Sequence, residues 1–134
     1  MKLISACLLG VKCRYDGASK PCEKALEAFN KNKKDFVLVC PEQLGGLPTP
    51  RVPAEIQNST GEDVSENFIK GAFEALKIAR LYGAKEFIGK SKSPSCGCDL
   101  IHNGSFSDTL KQGNGITSAL LKQNGLKVIS ELDL

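Results

Sequence analysis

The chain has 134 residues, of which 41% are hydrophobic and 25% are charged, as in an ordinary globular domain. The net charge is only +3 and aromatic residues make up 6%, which argues against a nucleic-acid or base-stacking surface. No apolar run reaches the length of a membrane span, and Gly10 and Lys12 interrupt the N-terminal apolar stretch. We therefore expect a cytoplasmic protein whose six cysteines stay reduced.

Apolar runs alternate with helical patterns in the first half of the chain. Residues 2–8 predict a first strand, which we expect to end at Cys7, and residues 36–39 predict a second strand that runs into Cys40. A helix is predicted to open at Pro21 between these strands. Residues 43–60 are rich in Gly and Pro, so they predict a long loop without regular structure, and such loops tend to be functional.

The second half continues the alternation. The longest helix is predicted from about residue 63 to Tyr82, a third strand covers residues 86–88, and a hairpin is expected around Asn103-Gly104. A final helix over residues 114–124 precedes a last strand at 127–130. We predict one three-layer α/β domain spanning residues 1–134, with a mostly parallel sheet of about four strands, crossover helices and a small β-hairpin.

Three cysteines follow three of the predicted strands. Cys7 and Cys40 end the first two, and Cys96 lies in the loop after the third. Because ligands bind outside the carboxyl ends of parallel strands, we expect these thiols to converge. Converging thiolates suit a zinc ion or an iron–sulfur cluster. In a cluster held by three cysteines, the iron without a cysteine ligand can act as a Lewis acid. The alternative is that the cysteines are buried and reduced and pack as small apolar groups.

Other polar residues near these cysteines are candidates for chemistry. Glu42 follows Cys40 after one proline and can serve as a general base, or be an ordinary surface carboxylate. Ser93 and Ser95 can donate hydrogen bonds to a bound group, or simply cap the turn around Pro94. Two loop arginines can hold an anion or a carbonyl oxygen, or form surface ion pairs: Arg14 and Arg51.

An ordered set of motifs resembles a known family. The resemblance covers essentially the whole chain and is to the bacterial domain-of-unknown-function family that includes the thiouracil desulfidases. Its motifs are SACLLG at 5–10, RYDG at 14–17, CPE at 40–42, GGLPTPR at 45–51, PAE at 53–55, SPSCG at 93–97, GSFS at 104–107 and GNGIT at 113–117.

The resemblance implies a Rossmann-like, oxygen-sensitive enzyme that removes sulfur from a thiolated pyrimidine such as 2-thiouracil, giving uracil and sulfide. It implies a [4Fe-4S] cluster held by three cysteines, whose fourth iron captures the substrate sulfur. It also implies Glu42 as acid/base with help from a serine of Ser93-Pro-Ser95, and we favour Ser93. From their positions in the chain we expect substrate contacts from Arg14, Arg51 and Ser95. Cluster-assembly machinery is the expected protein partner. By motif, the cluster ligands are Cys7, Cys40 and Cys96.

Three further cysteines, Cys13, Cys22 and Cys98, have no role in this interpretation. If Cys98 reached the fourth iron, the open position would be lost. One alternative is therefore a non-catalytic protein for redox sensing or storage, in which four cysteines, including Cys98 or Cys13, close around zinc or a cluster. The other is a sulfur transferase that works in the thiolation direction.

Overall fold

The computed structural model describes residues 1–51, 63–97, 100–102, 110–112 and 114–134. In chain order its elements are β1 (Lys2–Ser5), α1 (Glu23–Lys31), β2 (Phe36–Val39), α2 (Pro41–Leu44), α3 (Ser65–Tyr82), β3 (Glu86–Gly89), β4 (Leu100–His102), β5 (Leu110–Gln112), α4 (Ile116–Gln123) and β6 (Lys127–Ser130). Four strands form a sheet in the order β2-β1-β3-β6, and all neighbours are parallel. The predicted α/β class is confirmed.

Helices cover both faces of this sheet. Neighbouring residues of a strand point to opposite faces, so each strand contributes to two apolar cores. On one face, Leu3 and Phe87 pack with residues of α3 and α4. On the other face, Ile4 and Ile88 pack with Ala25 of α1. This arrangement gives the three layers that the sequence predicts. Within the described residues, no helix is both long and apolar enough to cross a membrane.

The strand order creates a crevice at one edge of the sheet. β1 lies between β2 and β3, so the chain first continues to one side of β1 and later returns to its other side. Open α/β sheets bind ligands outside the carboxyl ends of the strands at such a reversal. The segments that follow β1, β2 and β3 meet at this edge, because the three strands run in the same direction.

Two elements near this edge differ from the prediction. β1 ends at Ser5, and Cys7 lies in a 3-10 turn, Ala6–Leu9, that Gly10 closes in the left-handed conformation at φ 94°. Regular structure also extends into the predicted loop, because α2 forms a single helical turn. Pro41 occupies its first turn, where the missing N–H of proline is no loss. Residues 52–60 of that loop lie outside the described residues.

The first strand of the predicted hairpin, β4, pairs with a different partner strand from the one expected. β4 pairs antiparallel with β5, with Leu100 opposite Gln112 and His102 opposite Leu110. The connection therefore covers residues 103–109, which lie outside the described residues, rather than a tight turn at Asn103-Gly104. An Asn-Gly pair is a strong hairpin signal only between alternating apolar residues, which the following Ser-Phe-Ser-Asp does not supply.

Candidate metal centre

The three predicted cysteines lie at the carboxyl edge of the sheet. Cys7 is buried in the 3-10 turn after β1, Cys40 is half-buried at the start of α2, and Cys96 is buried in the loop after β3. None of the three forms a disulfide. The Cys96 thiol is close enough to Cys40 for their charges to interact.

A further cysteine, Cys13, joins this group. Only 3% of Cys13 is exposed, and it packs in the same apolar cluster as Cys7 and Cys40. The Cys40 Sγ atom also donates to the Cys13 carbonyl oxygen at 3.8 Å. Cys13 therefore lies with Cys7 and Cys40 at this edge. In the alternative with a closed metal site, the expected fourth ligand is Cys98 or Cys13, and Cys98 lies outside the described residues.

The pKa values of three of these thiols, those of Cys13, Cys40 and Cys96, are raised. Burial raises the pKa of Cys96 to about 12. The hydrogen bond with Cys40 lowers the pKa of Cys13, but the hydrogen bond with Cys7 and burial outweigh it, and the pKa reaches about 11. The hydrogen bond with Cys13, then burial, raises the pKa of Cys40. The thiols of Cys13, Cys40 and Cys96 are therefore neutral at neutral pH, and a bound cationic metal would convert buried thiols of this kind to thiolates.

The donor set fits a cluster better than a single ion. Among the described residues, no three His, Cys, Asp or Glu side chains are arranged around one point where a metal ion would sit. A zinc ion requires about 2.3 Å between the metal and each sulfur ligand. In a [4Fe-4S] cluster the cysteines bind different irons, so their sulfurs stand further apart. Thiolates are the ligands of such clusters, so the cysteines of this edge suit a cluster by their chemistry.

Close packing fixes the loop that carries Cys96. A Cβ atom on Gly89 would lie 2.1 Å from the Cys96 carbonyl oxygen, so only glycine allows the end of β3 to approach the loop. Ser118 of α4 donates to the same carbonyl at 2.8 Å. The first N–H groups of α4 also donate to this loop, from Ile116 to the Pro94 carbonyl and from Thr117 to the Ser95 carbonyl. The loop thereby satisfies helix donors that lack a partner within the helix.

The two predicted serines take part in this packing. The Ser93 hydroxyl oxygen accepts from the backbone N–H of Cys96 at 3.0 Å and from that of Ser95 at 3.2 Å. Ser95 is fully buried, and its hydroxyl bonds that of Thr117 at 2.8 Å. Both serines therefore shape the Cys96 loop. Ser93 is the more exposed of the two, being only partly buried.

Glu42 and Arg51 form an ion pair beside the thiols. The Arg51 Nη2 atom lies 3.4 Å from a Glu42 carboxylate oxygen, and the exposed fractions of the two side chains are 5% and 21%. Burial raises the pKa of Glu42, although the Arg51 charge acts to lower it. The Glu42 charge in turn raises the pKa of Cys96 and Cys40. The structure thus places a paired carboxylate two residues after Cys40, next to the candidate metal ligands.

Arg51 also holds the loop that carries Cys13. Its Nη1 atom donates to the Cys13 carbonyl at 3.2 Å and to the Pro48 carbonyl at 3.0 Å. Its backbone N–H donates to the Tyr15 carbonyl at 2.7 Å. The buried Nε atom has no hydrogen-bond partner among the described residues. An unpaired buried donor costs free energy, so it is a natural contact for a bound polar group.

Arg14 occupies the outer side of this group. Its Nη1 atom lies 4.0 Å from an Asp16 oxygen, and 27% of its side chain is exposed. Its charge is the weakest of the influences that lower the pKa of Glu42. Arg14 is therefore near the carboxylate but less enclosed than Arg51.

A contact between two helices positions Cys40 and Glu42. A Cβ atom on Gly71 of α3 would lie 1.9 Å from the Pro41 carbonyl oxygen, and one on Gly45 would lie 1.9 Å from the Asn67 carbonyl oxygen. Glycine at both positions lets the backbones of α2 and α3 touch. The Asn67 side chain also donates to the Gly45 carbonyl at 3.0 Å. This contact fixes the position of α2, and with it the positions of Cys40 and Glu42.

Ser5 is a site residue that the sequence analysis did not identify. Its hydroxyl accepts from the Lys90 backbone N–H at 3.0 Å and lies in hydrogen-bonding range of the Cys96 thiol. It is the last residue of β1, two positions before Cys7. The one signal in the sequence was that Ser5 is the first residue of the SACLLG motif, where the cysteine was the residue considered.

The fold and this edge define an α/β protein with a thiol-rich centre suited to a metal cluster, next to a paired carboxylate. The model of the 2-thiouracil desulfurase family matches residues 3–133, and the chain belongs to this family. The family expected from the motifs is therefore confirmed.

Two similar proteins agree with this family. The uncharacterized protein YbbK of Bacillus subtilis (strain 168) is 43% identical over 149 aligned positions, which cover 100% of this chain and 97% of YbbK. The solved structure of [4Fe-4S]-dependent thiouracil desulfidase TudS (DUF523Vcz) is 42% identical, with a TM-score of 0.91. That match covers 98% of this chain and 91% of TudS.

Proposed function

We propose that this protein is an iron–sulfur-dependent desulfidase that converts 2-thiouracil and water to uracil and hydrogen sulfide. The observation that carries the proposal is that the segments with Cys7, Cys40, Glu42 and Cys96 meet at one edge of the sheet. Membership of the 2-thiouracil desulfurase family and the similarity to a [4Fe-4S]-dependent thiouracil desulfidase support the same activity and cofactor.

We assign the cluster to three thiols that follow three different strands: Cys7, Cys40 and Cys96. Each of the three lies in a segment that follows a strand of the sheet: the turn after β1, the start of α2 and the packed loop after β3. When bound, a [4Fe-4S] cluster with three cysteine ligands supplies an iron that can act as a Lewis acid toward the thiocarbonyl sulfur.

Glu42 is the proposed general base. Its carboxylate takes a proton from the water that replaces sulfur at the ring carbon, and it returns a proton to the departing sulfide. Arg51 keeps the carboxylate in place through the 3.4 Å ion pair and favours its ionised form. The unpaired Nε–H of Arg51 is available to a carbonyl oxygen of the pyrimidine. Arg14 adds positive charge from the outer side.

We assign the two serines different parts. Ser95 positions Cys96, because it is fully buried beside it and its hydroxyl is hydrogen-bonded to that of Thr117. Ser93 is the serine able to assist the reaction, since it is not fully buried and its hydroxyl hydrogen can turn toward the site while its oxygen accepts the two backbone bonds.

The same chemistry suggests a setting for the protein. We place it in the cytoplasm, where thiols stay reduced, and expect cluster-assembly machinery to load it. The small net charge of +3 favours a free base over a nucleic acid as substrate. Residues 1–134 act as one desulfidase-like domain in this proposal.

Sulfide release tests the proposal. Protein reconstituted with iron and sulfide without oxygen, then freed of unbound ions, is incubated with 2-thiouracil while uracil and sulfide are measured. We expect the two products in equal amounts, and a loss of about 100-fold or more in Glu42→Gln. The matched control is Glu74→Gln, which changes an exposed carboxylate of α3. Cluster-loaded protein that releases no sulfide would refute the activity.

A further inference from the structure

The strand that leads to the Cys96 loop continues into two hydrogen bonds with side chains. This strand, β3, lies between β1 and β6, and successive N–H groups of a strand point toward its two neighbours in turn. Just after β3, the Lys90 N–H donates to the hydroxyl oxygen of Ser5, at the end of β1, at 3.0 Å. The Ser91 N–H donates at 2.8 Å to a carboxylate oxygen of Glu131, which directly follows β6. Side chains from both neighbouring strands therefore complete the pairing where the sheet ends.

Glu131 bonds to the start of the Cys96 loop through both of its carboxylate oxygens. The second oxygen accepts from the Ser91 hydroxyl and lies 3.5 Å from the Lys90 Nζ atom. Lys90 in turn donates to the Ser91 carbonyl at 2.9 Å. Only 11% of the Glu131 side chain is exposed, and a carboxylate that is mostly removed from water requires such partners. We call these contacts of Glu131 with Lys90 and Ser91 the Glu131 clamp.

The clamp adjoins a strained part of the loop. Lys92, the next residue, has a φ of 67°, a left-handed conformation that residues with a side chain rarely adopt. Such a conformation persists only where the surrounding contacts determine it. On the far side of Lys92, the Gly97 N–H donates to the Ser93 carbonyl at 2.7 Å. On the near side, the contacts are those of the clamp, so the clamp helps to set the path of the chain toward Ser93 and Cys96.

Glu131 is itself held in place by the turn that follows β6. It begins the 3-10 turn Glu131–Asp133, in which the Asp133 carboxylate accepts from the Ser130 N–H at 3.0 Å. The Ser130 hydroxyl oxygen accepts from the Leu132 N–H at 3.1 Å, which completes a capping box. Asp133 is therefore a second carboxylate of the same turn, and it bonds Ser130 where Glu131 bonds the Cys96 loop. This difference makes Asp133 a matched control for Glu131.

We propose that Glu131 is a positioning residue of the centre, which acts through Ser91 and Lys92 to place Ser93 and Cys96 for the reaction. This inference rests on the proposed function, in which Cys96 is a cluster ligand and Ser93 assists. Loss of the clamp leaves the three ligand thiols in the chain, so the cluster should still bind. The reaction should slow, because a small displacement of a group that acts in the transition state reduces the rate steeply. The KM should change little, since binding of the substrate sulfur does not use Ser93.

Hydrogen exchange tests the clamp without relying on activity. Wild type, Glu131→Gln and Asp133→Asn are reconstituted without oxygen, and mass spectrometry follows amide exchange in the peptide that covers residues 90–97. Glutamine keeps the size of the side chain but replaces one acceptor oxygen by an NH₂ group and removes the charge that pairs with Lys90. We expect this segment to exchange several-fold faster in Glu131→Gln, and close to the wild-type rate in Asp133→Asn.

Steady-state kinetics test whether the clamp serves the reaction. With 2-thiouracil as substrate and rates expressed per bound cluster, kcat should fall about 10-fold in Glu131→Gln, while the KM stays within about two-fold of the wild-type value. Ser91→Ala removes the hydroxyl that Glu131 accepts from. Because the two residues act as one unit, the loss in the double variant should be smaller than the product of the two single losses. Single losses that simply multiply would contradict the clamp.

Wild-type exchange together with wild-type kcat in Glu131→Gln would overturn the proposal. Equal effects in Asp133→Asn would also overturn it, because Glu131 would then act only by stabilising the turn after β6. If circular dichroism shows that Glu131→Gln is unfolded, Ser91→Ala is judged by the same two measurements. Cluster-loaded wild type that releases no sulfide would refute the proposed function, and hydrogen exchange would then still decide whether Glu131 holds the Cys96 loop.

Discussion

Replacing Gly71 with Ala should disturb the centre from a distance. The new methyl group would lie 1.9 Å from the Pro41 carbonyl oxygen, well inside the usual contact distance. Helix α2 must move by roughly 1 Å to accept it, and misplacement of this size can reduce a rate by about 100-fold. Cys40 and Glu42 both move with α2, so the metal ligand and the base are displaced together.

The loss of unfolding free energy in Gly71→Ala should be modest, whereas the loss of rate should be large. Overpacking costs about 1–3 kcal/mol, but alanine is favoured over glycine within a helix by about 1 kcal/mol. Sulfide release, iron per chain and urea unfolding should be measured on anaerobically reconstituted protein. Ile69→Ala is the control, because this residue of the same helix is 46% exposed. A Gly71→Ala protein with the wild-type rate and iron content would refute the view that this helix contact positions the site.

Three further changes probe the ligands, the base and the Cys96 loop. Anaerobic iron analysis should find the cluster retained in Cys22→Ala but lost on substitution of each proposed ligand, Cys7, Cys40 or Cys96, and a retained cluster in any of these would remove that ligand from the set. Arg51→Leu removes a charge that lowers the pKa of Glu42, so the acid limb of the pH–rate profile should move to higher pH, and an unmoved limb would argue against Glu42 as the base. Ser118→Ala leaves the Cys96 carbonyl without its 2.8 Å donor, which should cost about 1–3 kcal/mol in urea unfolding, and a change near zero would show that the loop is held by its other contacts.

The sequence predicted the strands and the cysteines after them for a simple physical reason. Each of the first three strands is a short apolar run, and parallel strands bring their carboxyl ends to one edge. Cys40 and Glu42 follow β2 with a single proline between them, so a correct strand nearly determines their position.

Contacts that depend on loops were not predictable in the same way. Cys13 reaches the centre because the segment after Gly10 turns back, and hydrogen bonds from Arg51 hold it there. No periodicity in the sequence indicates such a return, so the place of Cys13 beside Cys7 and Cys40 could not be predicted. The partner of β4 was missed for a related reason, since β5 is joined to it across residues 103–109 rather than by the Asn-Gly turn.

The origin of the oxygen in the product tests the central claim most directly. Reconstituted protein should be incubated without oxygen gas in water enriched in oxygen-18, with 2-thiouracil as substrate, and the uracil analysed by mass spectrometry. If Glu42 activates water at the carbon that loses sulfur, each new uracil carries one labelled oxygen, sulfide appears in equal amount, and the cluster-free protein forms neither. Unlabelled uracil, or labelled uracil formed equally well without the cluster, would contradict this account.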